Sequence, residues 1–175
     1  KFDKAINTTS GTTAYVETGY TVPTNVNQSF SFWINLSSTP GADVYIISDQ
    51  DPVGAGDFRF LATLNSSSQM SIGLSNGSSD DVHNTSWVPT QGVWYHIVAT
   101  IGSGNAVSFY VDGTLEDSWT SSVSLGTLGS RQLTIGRAGS YTACCNFPGL
   151  IDQFRIFTST LTSDEVLDLY NEVQC

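Results

Sequence analysis

The stretch Gly92-Val93-Trp94-Tyr95-His96-Ile97-Val98-Ala99-Thr100-Ile101 is followed by Gly102-Ser103-Gly104-Asn105 and then by Ala106-Val107-Ser108-Phe109-Tyr110-Val111-Asp112-Gly113. Val107, Phe109 and Val111 alternate with Ser108, Tyr110 and Asp112, the period of two expected of a strand with one face in a core. Trp94 to Ile101 is apolar on nearly both faces and reads as a central strand. The Gly, Ser and Asn residues between the runs suit a tight reversal, so the segment predicts a β-hairpin.

The same pattern extends in both directions. Phe30, Phe32, Ile34 and Leu36 alternate with Ser31, Trp33 and Asn35; Val44 to Ser48 is a further run. Phe58 and Phe60 alternate with Asp57, Arg59 and Leu61, and Met70, Ile72 and Leu74 oppose Ser71, Gly73 and Ser75. Leu133 and Ile135 open another run, and Phe147 to Phe157 holds the last long one. Thr39-Pro40-Gly41, Asn76-Gly77-Ser78 and Asp112-Gly113 punctuate them as turns. About ten to thirteen strands without alternating helices mean an all-β, antiparallel sandwich or barrel. With no repeat and no linker, residues 1–175 are expected to form one domain. One segment departs from the pattern. In Ser163-Asp164-Glu165-Val166-Leu167-Asp168-Leu169-Tyr170, Val166, Leu169 and Tyr170 stand at helical spacing. Thr162 or Ser163 can cap its start, with acidic residues in the first turn, so a short C-terminal helix is expected on the sandwich rim.

Composition narrows the function classes. Charged residues are 13% of the chain, about half the usual share, and Ser, Thr, Asn and Gly fill the gap. Six Lys and Arg against sixteen Asp and Glu give a formal charge of −10. That balance argues against nucleic acid, which demands a basic footprint, and against an anionic membrane surface. It is compatible with Ca²⁺, although solubility alone accounts for it. No apolar run approaches the ~20 residues of a membrane span, so no membrane insertion is expected. The chain opens at Lys1 without Met or a signal peptide and reads as a processed chain or a module of a longer one. Three cysteines are present, Cys144, Cys145 and Cys175. Adjacent cysteines rarely bridge each other, which leaves Cys144 or Cys145 to pair with Cys175 and one odd thiol over. Such a bridge implies an oxidising compartment or an extracellular particle; three buried free thiols are the alternative.

Three stretches together resemble the LamG-like jelly-roll domains of the concanavalin A-like lectin/glucanase superfamily. They are Gly92 to Thr100, Val107 to Gly113, and Phe147-Pro148-Gly149-Leu150-Ile151-Asp152-Gln153-Phe154-Arg155-Ile156-Phe157 continued by Leu161 to Val166 and Leu169-Tyr170. The opening residues, from Ala5 through Tyr15-Val16 to Ser29-Phe30-Ser31-Phe32-Trp33-Ile34, are similar to the family's first strands. The resemblance implies two antiparallel sheets in a jelly-roll sandwich closed by a short C-terminal helix. Cys145-Asn146-Phe147 and Leu169-Tyr170-Asn171-Glu172-Val173-Gln174-Cys175 are closest in flavour to versions in structural proteins of marine bacteriophages. That likeness favours a Cys145–Cys175 pairing and an extracellular or virion-surface setting.

Asp152 is the most informative carboxylate, because its alternation partners are Leu150, Phe154 and Ile156. A carboxylate on such a face needs a cation, several backbone N–H donors or a local bulge. The family resemblance implies a structural Ca²⁺ held by Asp152 with backbone carbonyls of the opening strands, and Asp3 and Asn7 are candidate additional oxygen donors; a carboxylate that is salt-bridged to Arg155 or Arg137, or that caps a loop, is the plainer account. Asp49, Asp51, Asp57, Asp80 and Asp81 fall in two expected loops, where solvated turn carboxylates are the default. Aromatic faces stack on sugar C–H faces. Trp87, Tyr141 and Trp119 lie near expected turns, and Trp87, His83, Asn84 and Tyr141 are the candidate ligand-binding set. Catalysis has little support: no closely spaced acidic run flanks a bond as glycosidases require, and His83 and His96 are too few for a zinc site. The Asn-x-Ser/Thr triplets follow from composition. The expectation is therefore a non-catalytic carbohydrate-binding or adhesion module that meets a glycan or cell-surface receptor. Two alternatives are a structural assembly domain that forms a homo-oligomer and a degenerate glycosidase.

Overall fold

Alternation in the sequence becomes two stacked antiparallel sheets. The computed structural model describes residues 5–9, 14–24, 27–49, 58–126, 132–138 and 145–172. Its strands are β1 (Ile6–Asn7), β2 (Val16–Glu17), β3 (Gln28–Leu36), β4 (Val44–Ser48), β5 (Phe60–Leu64), β6 (Met70–Ser75), β7 (Asp80–Asn84), β8 (Trp94–Ile101), β9 (Ala106–Val111), β10 (Thr114–Thr120), β11 (Thr134–Ile135) and β12 (Gly149–Phe157), followed by one helix, α1 (Ser163–Asn171). The first sheet runs β1-β12-β3-β8-β9-β10 and the second β2-β11-β4-β5-β6-β7. All named strand pairs are antiparallel, so the molecule is the all-β sandwich that the pattern allows, in the jelly-roll form that the resemblance implies.

The period-two faces meet between the sheets. Phe30, Phe32 and Ile34 of β3 face Phe60, Ala62 and Leu64 of β5 in one buried core with Ile72, Ile97 and Phe109. The rings of Phe30 and Phe60 stack with centroids 4.0 Å apart. Burying each such side chain stabilises the fold by roughly 1.5–3 kcal/mol. The opening hairpin forms as read: β8 reaches β9 through a 3₁₀ turn at Ser103–Asn105. β9 reaches β10 through Asp112-Gly113, both at positive φ (49° and 81°). Two left-handed residues make the reversal that matches strand twist, hence Asp-Gly.

Two expectations need correction. The helix lies on the outer face of the first sheet and over the β9–β10 turn at its end, rather than on the rim alone. Val166 is buried against Val98, Tyr110 and Leu161, while Tyr170 stacks over Trp33 and His96 at 5.9 and 6.2 Å. This explains why Trp94 to Ile101 reads as apolar on both faces: one faces the second sheet, the other the helix. The second correction concerns β12. Its register against β3 slips between Asp152 and Arg155, with Gln153 at φ 49°. A bulge adds one residue and reverses the facing of everything beyond it. Ile151 and Ile156 pair with Ile34 and Phe30 and Phe154 packs on Phe32, whereas Asp152 pairs with Trp33 on the outer face. Asp152 therefore does not share a face with Phe154 and Ile156.

Candidate functional site

β7 and β10 are the last strands of their respective sheets, so the sandwich has to be closed between them. In β7, exposed Asp80, Val82 and Asn84 alternate with half-buried Asp81 and His83. In β10, half-buried Asp117 and Trp119 alternate with exposed Glu116, Ser118 and Thr120. The half-buried sets meet across the edge. His83 Nε2 lies 2.9 Å from Asp117 Oδ2, and its imidazole stacks on the Trp119 indole with centroids 4.0 Å apart and planes 19° from parallel. An apolar pair would close the gap as well; this one leaves His83 and Asp117 34% and 33% exposed.

Polar groups flank the stack. Asp81 Oδ2 accepts the Ser122 N–H at 2.6 Å and the Ser121 hydroxyl at 3.1 Å. The Ser122 N–H above all, then the serine hydroxyls and nearby His83, hold the Asp81 carboxyl below its ordinary range against the opposing effect of burial. Asn84 Oδ1 accepts the Ser71 hydroxyl at 2.6 Å. The edge thus offers two aromatic rings and two carboxylates within one short span, while Asn84 stands on the opposite face of β7. That combination suits a polyhydroxylated ligand, whose C–H faces stack on rings while its hydroxyls donate to the carboxylates.

Of the candidate ligand-binding residues, the structure brings His83 and Asn84 to this edge. Trp87 turns inward: half-buried, it stands edge-on to Tyr95 at 5.1 Å and tilted on Phe109 at 5.9 Å. Tyr141 lies outside the described residues. The residues that sequence reasoning did not join to His83 are Asp117 and Trp119. Their alternation with Glu116 and Ser118 was legible, but their partner strand lies in the other sheet, and no local pattern encodes that meeting.

For the metal candidates, Asp152 is half-buried and its Oδ1 accepts the Gln153 N–H at 2.8 Å, within the bulge. Asn7 pairs with Leu150 on the neighbouring strand, and its Oδ1 accepts the Thr9 N–H at 2.9 Å. Asp3 lies outside the described residues. Among the described residues no cluster of three or more His, Cys, Asp or Glu could hold a metal. Asp152 and Asn7 fall short of the six to eight oxygens that Ca²⁺ takes. Of the plainer accounts, Asp152 shows the local cap, through the Gln153 N–H, while Arg155 pairs with Glu172 instead. Asp49 is no solvated turn carboxylate. It is fully buried, bonds Arg59 Nε at 2.8 Å and accepts the N–H groups of Arg59 and Phe60. Cys145 is disulfide-bonded, to a partner outside the described residues; Cys144, Cys175, Asp51 and Asp57 lie outside them too. No described helix is long and apolar enough to cross a membrane.

Comparison with protein families matches residues 10–167 to a laminin-G model described as the concanavalin A-like lectin/glucanases superfamily. No curated protein matches the chain. Among solved structures, domain 4 of AbnA, a GH43 extracellular arabinanase from Geobacillus stearothermophilus in complex with arabinotriose, is 23% identical with a TM-score of 0.65, over 89% of this chain and 71% of that one. A structure of botulinum neurotoxin type C, whose cell entry depends on two ganglioside molecules, is 21% identical with a TM-score of 0.64, over 84% of this chain and 36% of that one. Trypanosoma rangeli sialidase is 17% identical with a TM-score of 0.61, and the match spans 83% of this chain but 23% of that enzyme. At these identities the likeness is one of fold.

Proposed function

The chain belongs to the concanavalin A-like lectin/glucanases superfamily, and on that premise we propose that it is a non-catalytic carbohydrate-binding or adhesion module whose sugar site is the β7–β10 edge. The observation that carries the proposal is the half-exposed His83–Trp119 stack, braced by Asp117 and flanked by Asp81. The solved structures of like fold add support, one holding arabinotriose and one dependent on gangliosides for cell entry. We place the module on a secreted or virion-surface protein, as in phage fibres or capsid surfaces. The Cys145 disulfide supports an oxidising setting, and we assign Cys175 as its partner. A structural Ca²⁺ at Asp152 belongs to the same proposal, its remaining donors coming from backbone carbonyls and the segment around Asp3.

The test is a glycan array followed by calorimetry on the leading sugar, with Trp119→Ala and Trp87→Ala in parallel. Trp119→Ala is expected to weaken binding by about tenfold or more, since stacked aromatic contacts carry about 0.5–1.5 kcal/mol beyond their buried area. Trp87→Ala is expected to lower stability first. Binding that survives Trp119→Ala unchanged would remove the edge from the proposal, and release of reducing sugar from the bound glycan would overturn its non-catalytic half.

One observation favours an assembly domain instead. Val82 and Leu115 are 47% and 50% exposed on strands that end their sheets, and such edges invite pairing with another copy. A stable oligomer by light scattering, silent on the array, would favour that function.

A further inference from the structure

We propose that the β7–β10 edge selects uncharged glycans and rejects sialylated or sulfated ones; this rests on the edge being the sugar site. The two strands framing the site are described in full. Asp80–Asn84 and Thr114–Thr120 carry Asp80, Asp81, Glu116 and Asp117, and no Lys or Arg.

The arginines described elsewhere are already engaged. Arg59 is buried against Asp49 and donates to the Val22 carbonyl. Arg137 is 5% exposed, with its guanidinium 3.6 Å above the Tyr15 ring. Arg155 pairs with Glu172. Recognition of a carboxylated or sulfated sugar relies on a cationic fork or a backbone N–H nest facing the anion. Here the Ser122 N–H, just beyond β10, is already taken by Asp81. An anionic sugar set on the His83–Trp119 rings would meet repulsion from the neighbouring carboxylates. A neutral sugar escapes that penalty and finds Asp81 and Asp117, the two carboxylates beside the stack, ready to accept its hydroxyl protons.

Salt dependence follows from the same charges. The Debye length falls from about 30 Å at 0.01 M to about 8 Å at 0.15 M. Rejection of anionic sugars is therefore strongest in dilute buffer, while affinity for neutral sugars stays nearly flat.

The experiment is an array of matched oligosaccharides, each printed neutral, sialylated and sulfated, probed in chelator at about 10 and 150 mM salt. The neutral members are expected to bind at least about tenfold better at low salt, a gap that narrows at high salt. Asp80→Asn with Glu116→Gln, both exposed and outside the stack, is expected to leave neutral binding unchanged and bring the anionic members closer to it. Anionic members bound as well as or better than their neutral counterparts at low salt would overturn the selectivity while leaving a sugar site in place. Silence across the whole array would overturn the sugar site and the selectivity with it.

Discussion

Asp49 and Asp81 are both aspartates of loop-like sequence with opposite fates. Asp49 is fully buried and neutralised by Arg59 with two backbone N–H donors. Removing one member of a buried pair strands the other charge, so Asp49→Ala is expected to cost about 3–5 kcal/mol, read as the shift in urea midpoint. No local signal separates it from a solvated turn residue, because its partners Arg59 and Phe60 stand 10 and 11 residues further along the chain. Asp81 lies at the half-open edge, and its effect is one of pH. Its folded pKa is depressed, so its contribution is present above the ordinary carboxylate range near 4 and is lost as pH falls through the folded value. Asp112 works in the other direction, since burial raises its pKa and disfavours its charged form in the folded chain. Unfolding midpoints measured from pH 6 down to 2.5 should show a shallower acid decline in Asp81→Asn than in the parent; an unchanged slope would mean that the Ser122 bond carries no net weight.

At the element scale, α1 is fixed by a reciprocal cap. The Thr162 hydroxyl accepts the Glu165 N–H while Glu165 accepts the Thr162 N–H. Thr162→Ala is expected to cost about 1 kcal/mol and to expose Trp33, whose fluorescence reports it. The turn beneath the helix is less tolerant. Gly113 sits at φ +81°, and a Cβ there would meet the Leu167 side chain at 2.9 Å and its backbone at 3.4 Å. Gly113→Ala should therefore destabilise by more than the 0.4–1 kcal/mol that the same exchange contributes at compatible sites, and should loosen α1. The helix itself was legible from Val166, Leu169 and Tyr170, and so were the strands from their alternation. The face it covers was not, because an outward Trp33 and Val98 look the same in sequence as residues awaiting a second sheet. The bulge at Asp152 was equally hidden, since one extra residue leaves the composition of the run unchanged.

For the molecule as a whole, the sandwich was readable because β3, β6 and β9 carry their own period and β8 reads as a central strand. The meeting of β7 with β10 was not, because strand order at the edges is a property of the closed fold. Calcium belongs to this scale too. If Ca²⁺ braces β12 against the opening strands, chelation should lower Tm by several degrees in the parent and not in Asp152→Ala; equal melting with and without chelator would remove the ion from the fold. The topology also sets a timetable. β3 sits between β8 and β12, and the Ser29 hydroxyl reaches the Ser159 carbonyl across 130 residues of chain. At ribosomal rates of about 5–20 residues per second, the nascent strand waits roughly six to twenty-five seconds for that neighbour to be synthesised. Phe30, Phe32 and Ile34 spend that interval beside an open edge, which makes the half-made chain, rather than the finished sandwich, the form most in need of a chaperone.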